Sequence, residues 1–218
     1  MVFDKLIRWL IYITIFCMIL FFFWMLLFKQ DYLFAVVALL LIIVACIPLI
    51  LNLKFKEKVP LELHGLWMLM ISFHFFAAML DLYSNPKSFF TDDFNHLFGG
   101  VVLTTIGFFM LLALDNYKEH KLSIPLIGIF AFTFAVTLGV IWEVIEFSLD
   151  NVFRLETQAG FMFHNGDLIW SFSRDTMIDL IEDSSSAAIT SFLLVHFSRK
   201  VPKEKLEHYA GPLRQYLA

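Results

Sequence analysis

Asp175-Thr-Met-Ile-Asp179-Leu-Ile-Glu182-Asp183 is the stretch whose reading decides the fold. A largely apolar run, Ala187 to Phe197, follows it, and then a basic tail. About 11 residues of helix at 1.5 Å each reach roughly half of a ~30 Å hydrocarbon core. If this segment crosses a membrane, its helix starts near Asp175, and Asp179, Glu182 and Asp183 lie at membrane depth. An ionised side chain there costs several kcal/mol on insertion scales unless it faces a partner or water. These acids are therefore the chief pointer to function.

Outward from that stretch, composition points the same way. Of 218 residues 60% are hydrophobic and only 17% charged, below the usual quarter of a soluble domain. Apolar runs of about 20 residues imply an all-α, polytopic membrane protein with six transmembrane helices. The short alternating segments of a membrane barrel are absent. Helix 1 is expected over Trp9 to Phe28, helix 2 over Tyr32 to Leu51 and helix 3 over Leu61 to Leu80. Helix 4 follows over Phe94 to Leu114, helix 5 over Ile124 to Leu149 and helix 6 over Asp175 to Phe197. Helix 1 is read as retained: its run is too long for a signal peptide, and Phe28-Lys-Gln-Asp31 offers no small-residue cleavage site. Residues 1–198 make one domain, with helices 1 and 2 an accessory hairpin and helices 3 to 6 the polar core. Residues 199–218 form a basic cytoplasmic tail. Cys17 and Cys46 lie inside apolar runs and read as packing residues.

Six spans put both termini on one side. Of 16 Lys and Arg, that side collects all but Lys29, Lys87, Arg154 and Arg174, so the positive-inside rule makes it the cytoplasm. Polar groups far apart in sequence then converge on one outer level. His74 and Asp81 end helix 3, and Asp92, Asp93 and His96 begin helix 4. Glu143, Glu146 and Asp150 end helix 5, and Asp175, Asp179 and Asp183 occupy the outer half of helix 6. Spacing also favours single faces: Glu143, Glu146 and Asp150 stand at i, i+3 and i+7, and the three aspartates of helix 6 step by four. His96, Gly100 and Gly107 share a stripe on which small residues permit close helix approach.

Carboxylates this close repel unless protons or a cation neutralise some of them. Carboxylate oxygens with one imidazole suit a divalent metal such as Mg, Mn or Zn. His96, Glu143, Asp179 and Asp183 are the candidate ligands, with Glu146 or Asp175 as general base. His74, Asp92, Asp93, Asp150 and Glu182 complete the pocket. The bland alternative is a hydrogen-bonded network that pins the bundle. In that reading Asp92 or Asp93 caps helix 4, Asp150 and Asp175 are helix-end acids, and His74 is a packed core histidine. Trp142 fits an interfacial belt, and His164 and Asp167 fall in an outer loop of about 25 residues, Asp150 to Arg174. No P-loop, H-E-x-x-H, G-x-S-x-G or G-x-G-x-x-G occurs, and no nucleic-acid partner is expected.

Three motifs in order, Asp93-Phe-Asn-His96-Leu-Phe-Gly-Gly100, Trp142-Glu143-Val-Ile-Glu146-Phe147 and Asp175-Thr-Met-x-Asp179-Leu-x-x-Asp183, carry a family likeness. Over helices 3 to 6 the chain resembles the YjdF-like bacterial inner-membrane proteins. The His…Glu…Asp order is also similar, more distantly, to the VanZ-like membrane proteins. The resemblance implies an integral, multi-pass protein of the bacterial inner (plasma) membrane and brings no reaction with it. Three functions follow from the residues: a metal-assisted hydrolase or transferase acting on a lipid-linked small molecule, a cation- or proton-coupled transporter or binding protein, and a membrane scaffold. Beyond the lipid bilayer, partners and oligomeric state are left open.

Overall fold

The computed structural model describes residues 2–54, 60–80, 90–118, 122–153, 161–164, 167–170 and 172–201. Among these residues lie six α-helices: α1 Val2–Trp24, α2 Tyr32–Lys54, α3 Leu61–Met79, α4 Phe90–Lys118, α5 Ile124–Phe153 and α6 Phe172–Ser198. Two short strands, β1 Phe161–His164 and β2 Asp167–Trp170, pair antiparallel between α5 and α6.

Local chemistry closes the first helical hairpin. The last turn of α1 widens into a π-turn, Met25–Lys29, and stops at Gln30, whose φ of 57° lies in the left-handed region. The Asp31 amide returns to the Met25 carbonyl at 3.1 Å, and the Asp31 carboxylate accepts from the Phe34 amide at 3.1 Å. A left-handed stop followed at once by an aspartate N-cap turns the chain back within two residues.

The contact between α2 and α3 has an equally local origin. Pro48 lies inside α2 and has no N–H for the carbonyl four residues earlier, that of Val44. The indole Nε1–H of Trp67 on α3 fills that vacancy, donating to the Val44 oxygen at 3.0 Å. Around this bond α1, α2 and α3 share an apolar core including Met18, Phe21, Ala45 and Phe75, which Val102 of α4 joins. Phe21 and Phe75 meet edge to face at 5.4 Å.

Helices α4, α5 and α6 pack mutually, through glycines at each seam. A β-carbon on Gly100 would meet the Ser186 hydroxyl and, at 2.9 Å, the Asp183 carbonyl of α6. One on Gly107 would meet the Phe134 ring of α5 at 2.7 Å, and one on Gly139 would meet the Asp183 carboxylate. The Ser191 hydroxyl of α6 donates to the Gly128 carbonyl of α5 at 2.7 Å. Small residues let helix backbones approach where packing replaces the hydrophobic drive of water. Phe108, Leu112, Ile127 and Ala131 fill one end of this trio. The outward faces stay apolar, with Phe16, Leu40, Val144, Phe147 and Phe192 exposed. Lys5–Lys29, Thr91–Leu112 and Ile124–Val152 are long and apolar enough to cross a membrane, while Phe34–Ile50 and Leu61–Ala77 are shorter apolar helices.

Several boundaries differ from the expected ones. α4 starts at Phe90 and not Phe94, so Asp92 and Asp93 lie inside its first turn and do not precede it as caps. Acidic side chains in a first turn interact favourably with the positive end of the helix dipole, which extends the helix backward through them. His96 consequently falls in the second turn. α5 continues to Phe153, which places Asp150 within it. The long outer loop is thereby shortened, and the two strands occupy its middle with His164 opposite Asp167. Asn165-Gly166 between them is the dipeptide most favourable to a two-residue hairpin connection. Asp81, Arg154 and the tail beyond residue 201 lie outside the described residues.

Candidate functional site

The acids gather where α4 and α6 begin and α5 ends. At 1.5 Å per residue, His96 is about 9 Å into α4, Asp179 about 10 Å into α6, and Glu143 about 15 Å from the end of α5. The first turns of α4 and α6 carry Asp92, Asp93 and Asp175, where the positive end of the helix dipole favours carboxylates.

His96, only 5% exposed, stands at the centre. Its Nε2 lies 3.7 Å from Glu143 Oε1, 3.9 Å from Asp179 Oδ1 and 4.0 Å from Asp92 Oδ1. On the other side of the ring, Nδ1 lies 3.4 Å from Asp183 Oδ2. The Nε2 distances exceed those of a good hydrogen bond, about 2.7–3.2 Å. With metal bonds of about 2.1 Å, neighbouring ligands stand roughly 3.0–3.4 Å apart. The three oxygens thus surround Nε2 at spacings a few tenths of an ångström wider than an occupied site and would close in around an ion. Three groups of side chains place donor atoms within 4.8 Å of one another: Asp92, His96 and Asp179; His96, Glu143 and Glu146; and Asp93, Asp179 and Glu182. This buried acidic and histidine cluster could hold a metal ion.

Unpartnered atoms sharpen the point. His96 Nε2, Asp175 Oδ2, Asp179 Oδ2 and Glu182 Oε2 are buried without a hydrogen-bond partner. Each orphaned polar group costs about 1–3 kcal/mol. Like charges about 4 Å apart add roughly 4 kcal/mol per pair at an effective dielectric of about 20. Only protons or a cation relieve terms of that size.

The expected pocket residues are distributed unequally. His96, Glu143, Glu146, Asp92, Asp93, Asp179 and Glu182 fall in the three donor groups. Asp183 is buried beside the opposite ring nitrogen, and Asp175 is buried a turn before Asp179 on α6. Half-buried Asp150 belongs to none of the donor groups. His74 is half-buried, with its ring 5.5 Å from that of Trp142, and is likewise outside them.

Other residues bear on the site without having been singled out above. Gly139, one turn before Glu143, admits the Asp183 carboxylate, and its spacing of four from Glu143 is the signal that marks it. Asn95, Thr104 and Ser186 are buried along α4 and α6. Asp115, also buried, accepts from the Leu122 amide at 2.8 Å and fastens the connection from α4 to α5 at the far end.

No curated protein and no solved structure matches the chain. A family model described as a predicted membrane protein, DUF2238, matches residues 10–200. With His96, Glu143 and Asp179 all inside that match, the chain belongs to the DUF2238 family of predicted membrane proteins, the YjdF-like proteins its motifs resemble.

Proposed function

We propose that this protein crosses the bacterial inner membrane six times, with both termini cytoplasmic, and that its outward pocket uses a divalent cation to hydrolyse or transfer a group on a lipid-linked substrate. The observation that carries the reading is His96 Nε2, buried, unpartnered and faced by three carboxylates at 3.7–4.0 Å. His96, Glu143 and Asp179 serve as ligands, and Asp92, treated above as a cap or pocket residue, joins them. Asp183 takes a different part from the ligand role first expected: it orients the imidazole through Nδ1, as carboxylates commonly do behind metal-bound histidines. A divalent ion in such a site polarises a substrate oxygen and lowers the pKa of bound water. Asp175 is the favoured general base, because its unpartnered oxygen lies a turn closer to the helix ends than Asp179. Glu146 is the second candidate.

The lipid-linked substrate follows from placement. The cluster lies some 9–15 Å from the helix ends, within reach of headgroups, and the flanking Val144, Phe147, Met177 and Ile181 are exposed apolar side chains suited to acyl chains. A transporter using the same acids needs a polar route to the other face. Against it, the Ser186 and Ser191 hydroxyls already donate to the Asp183 and Gly128 carbonyls at 3.2 and 2.7 Å. The test is mass-spectrometric metal analysis of the purified protein beside Asp179→Ala. A metal bound in stoichiometric amount and lost in the variant supports the reading. Its absence from the wild type would sink it.

A further inference from the structure

We infer that the pocket holds a second cation in an all-oxygen position formed by Asp93, Asp179 and Glu182, adjoining the His96 position and sharing Asp179 with it. This inference rests on the metal reading of the cluster and extends it from one ion to two. The three carboxylates place oxygens within 4.8 Å of one another, and Asp179 belongs also to the group with Asp92 and His96. Asp179 is 1% exposed, and its two oxygens are differently placed. Oδ1 lies 3.9 Å from His96 Nε2, whereas Oδ2 is buried with no partner. A carboxylate shared by two donor groups, with one oxygen beside His96 and the other buried without a partner, is suited to bridge two ions, which in such centres stand about 3.5–4 Å apart. Glu182 supplies an independent sign, since its Oε2 is also buried and unpartnered although Glu182 is not grouped with His96.

Charge balance points the same way. The three donor groups contain six carboxylates, Asp92, Asp93, Glu143, Glu146, Asp179 and Glu182, and one imidazole. A single divalent ion neutralises two of those charges and leaves the rest to be relieved by protons or by a further ion, since unpaired charge at membrane depth is costly. A second ion removes two more. With only oxygen donors, the new position suits a hard cation, Mg2+ or Mn2+, whereas the position containing His96 also accepts a borderline ion.

The probe is Mn2+, titrated into chelator-treated, full-length protein in detergent, with bound metal counted by mass spectrometry and spin coupling read by low-temperature electron paramagnetic resonance. The wild type is expected to bind about two Mn2+ per chain with the exchange-coupled signal of a close pair. Glu182→Gln and, separately, Asp93→Asn are each expected to bind about one, with an isolated-ion signal. Glu182 is only half-buried, and thermal unfolding of each variant reports whether the fold persists. A wild type that binds about one uncoupled Mn2+ would overturn the second position and leave the His96 position standing. Retention of the coupled pair in both variants would overturn the assignment to Asp93 and Glu182, and no bound Mn2+ at all would overturn both readings.

Discussion

His96 meets a different environment at each ring nitrogen. Nδ1 faces one carboxylate, Asp183, at 3.4 Å, and Nε2 faces three at 3.7–4.0 Å. If Asp183 orients the ring from behind, Asp183→Asn leaves every proposed ligand in place but loosens the imidazole. Divalent-metal affinity is then expected to fall by about 10–100-fold, measured by competition with a metal-binding dye. Asp179→Asn, which alters a proposed ligand directly, is expected to weaken binding further. Protons compete for the same oxygens and for Nε2, so bound metal is retained at neutral pH and released as pH falls. Residual metal after dialysis at stepwise lower pH checks the sign; release that is the same at every pH would contradict it.

At the scale of elements, two contacts have stated causes and can be separated by mutation. The Val44 carbonyl needs Trp67 because Pro48 offers no N–H. Trp67→Phe is expected to destabilise the protein by about 1–3 kcal/mol in detergent unfolding, through that orphaned oxygen and lost contact. In a Pro48→Ala background the helix supplies its own donor, so the same substitution is expected to cost less. Equal costs in the two backgrounds would show that the bond is not the reason. On the other side of the molecule, Gly100 lets α4 reach α6 at the level of Asp183. Gly100→Ala places a methyl group against the Asp183 backbone carbonyl, which yields less readily than a side-chain tip. A stability loss of about 1–3 kcal/mol is expected, together with reduced metal binding, since the same seam sets the distance from His96 to Asp183.

For the whole molecule the governing fact is an apolar exterior around a helical bundle that buries an acidic cluster toward one end. Exposed phenylalanine, leucine and isoleucine side chains cover faces of α1, α2, α5 and α6, far more than a water-soluble surface carries. If all six helices cross the membrane as proposed, the uneven distribution of basic residues predicts that a reporter active only in the cytoplasm works when fused after residue 218 and fails when inserted between β1 and β2. The opposite pattern would invert the pocket and remove the case for an outer-leaflet substrate.

Helical character, membrane class and the list of acids were legible in the sequence, because a run of about 20 apolar residues has few other physical solutions and charge within such runs is conspicuous. Gly100 and Gly107 were legible too, as small residues on the His96 stripe. The helix starts were not, since Asp92 and Asp93 satisfy either a cap or a first turn, and periodicity does not distinguish them. Nor was the strand pair, whose only signal was Asn165-Gly166. The tertiary structure alone decided which acids face which nitrogen of His96. Helical spacing orders side chains on one helix, but the rotation and separation of α4, α5 and α6 are set by packing at Gly100, Gly107 and Gly139. Those contacts put Asp183 on one side of the ring and Asp92, Glu143 and Asp179 on the other.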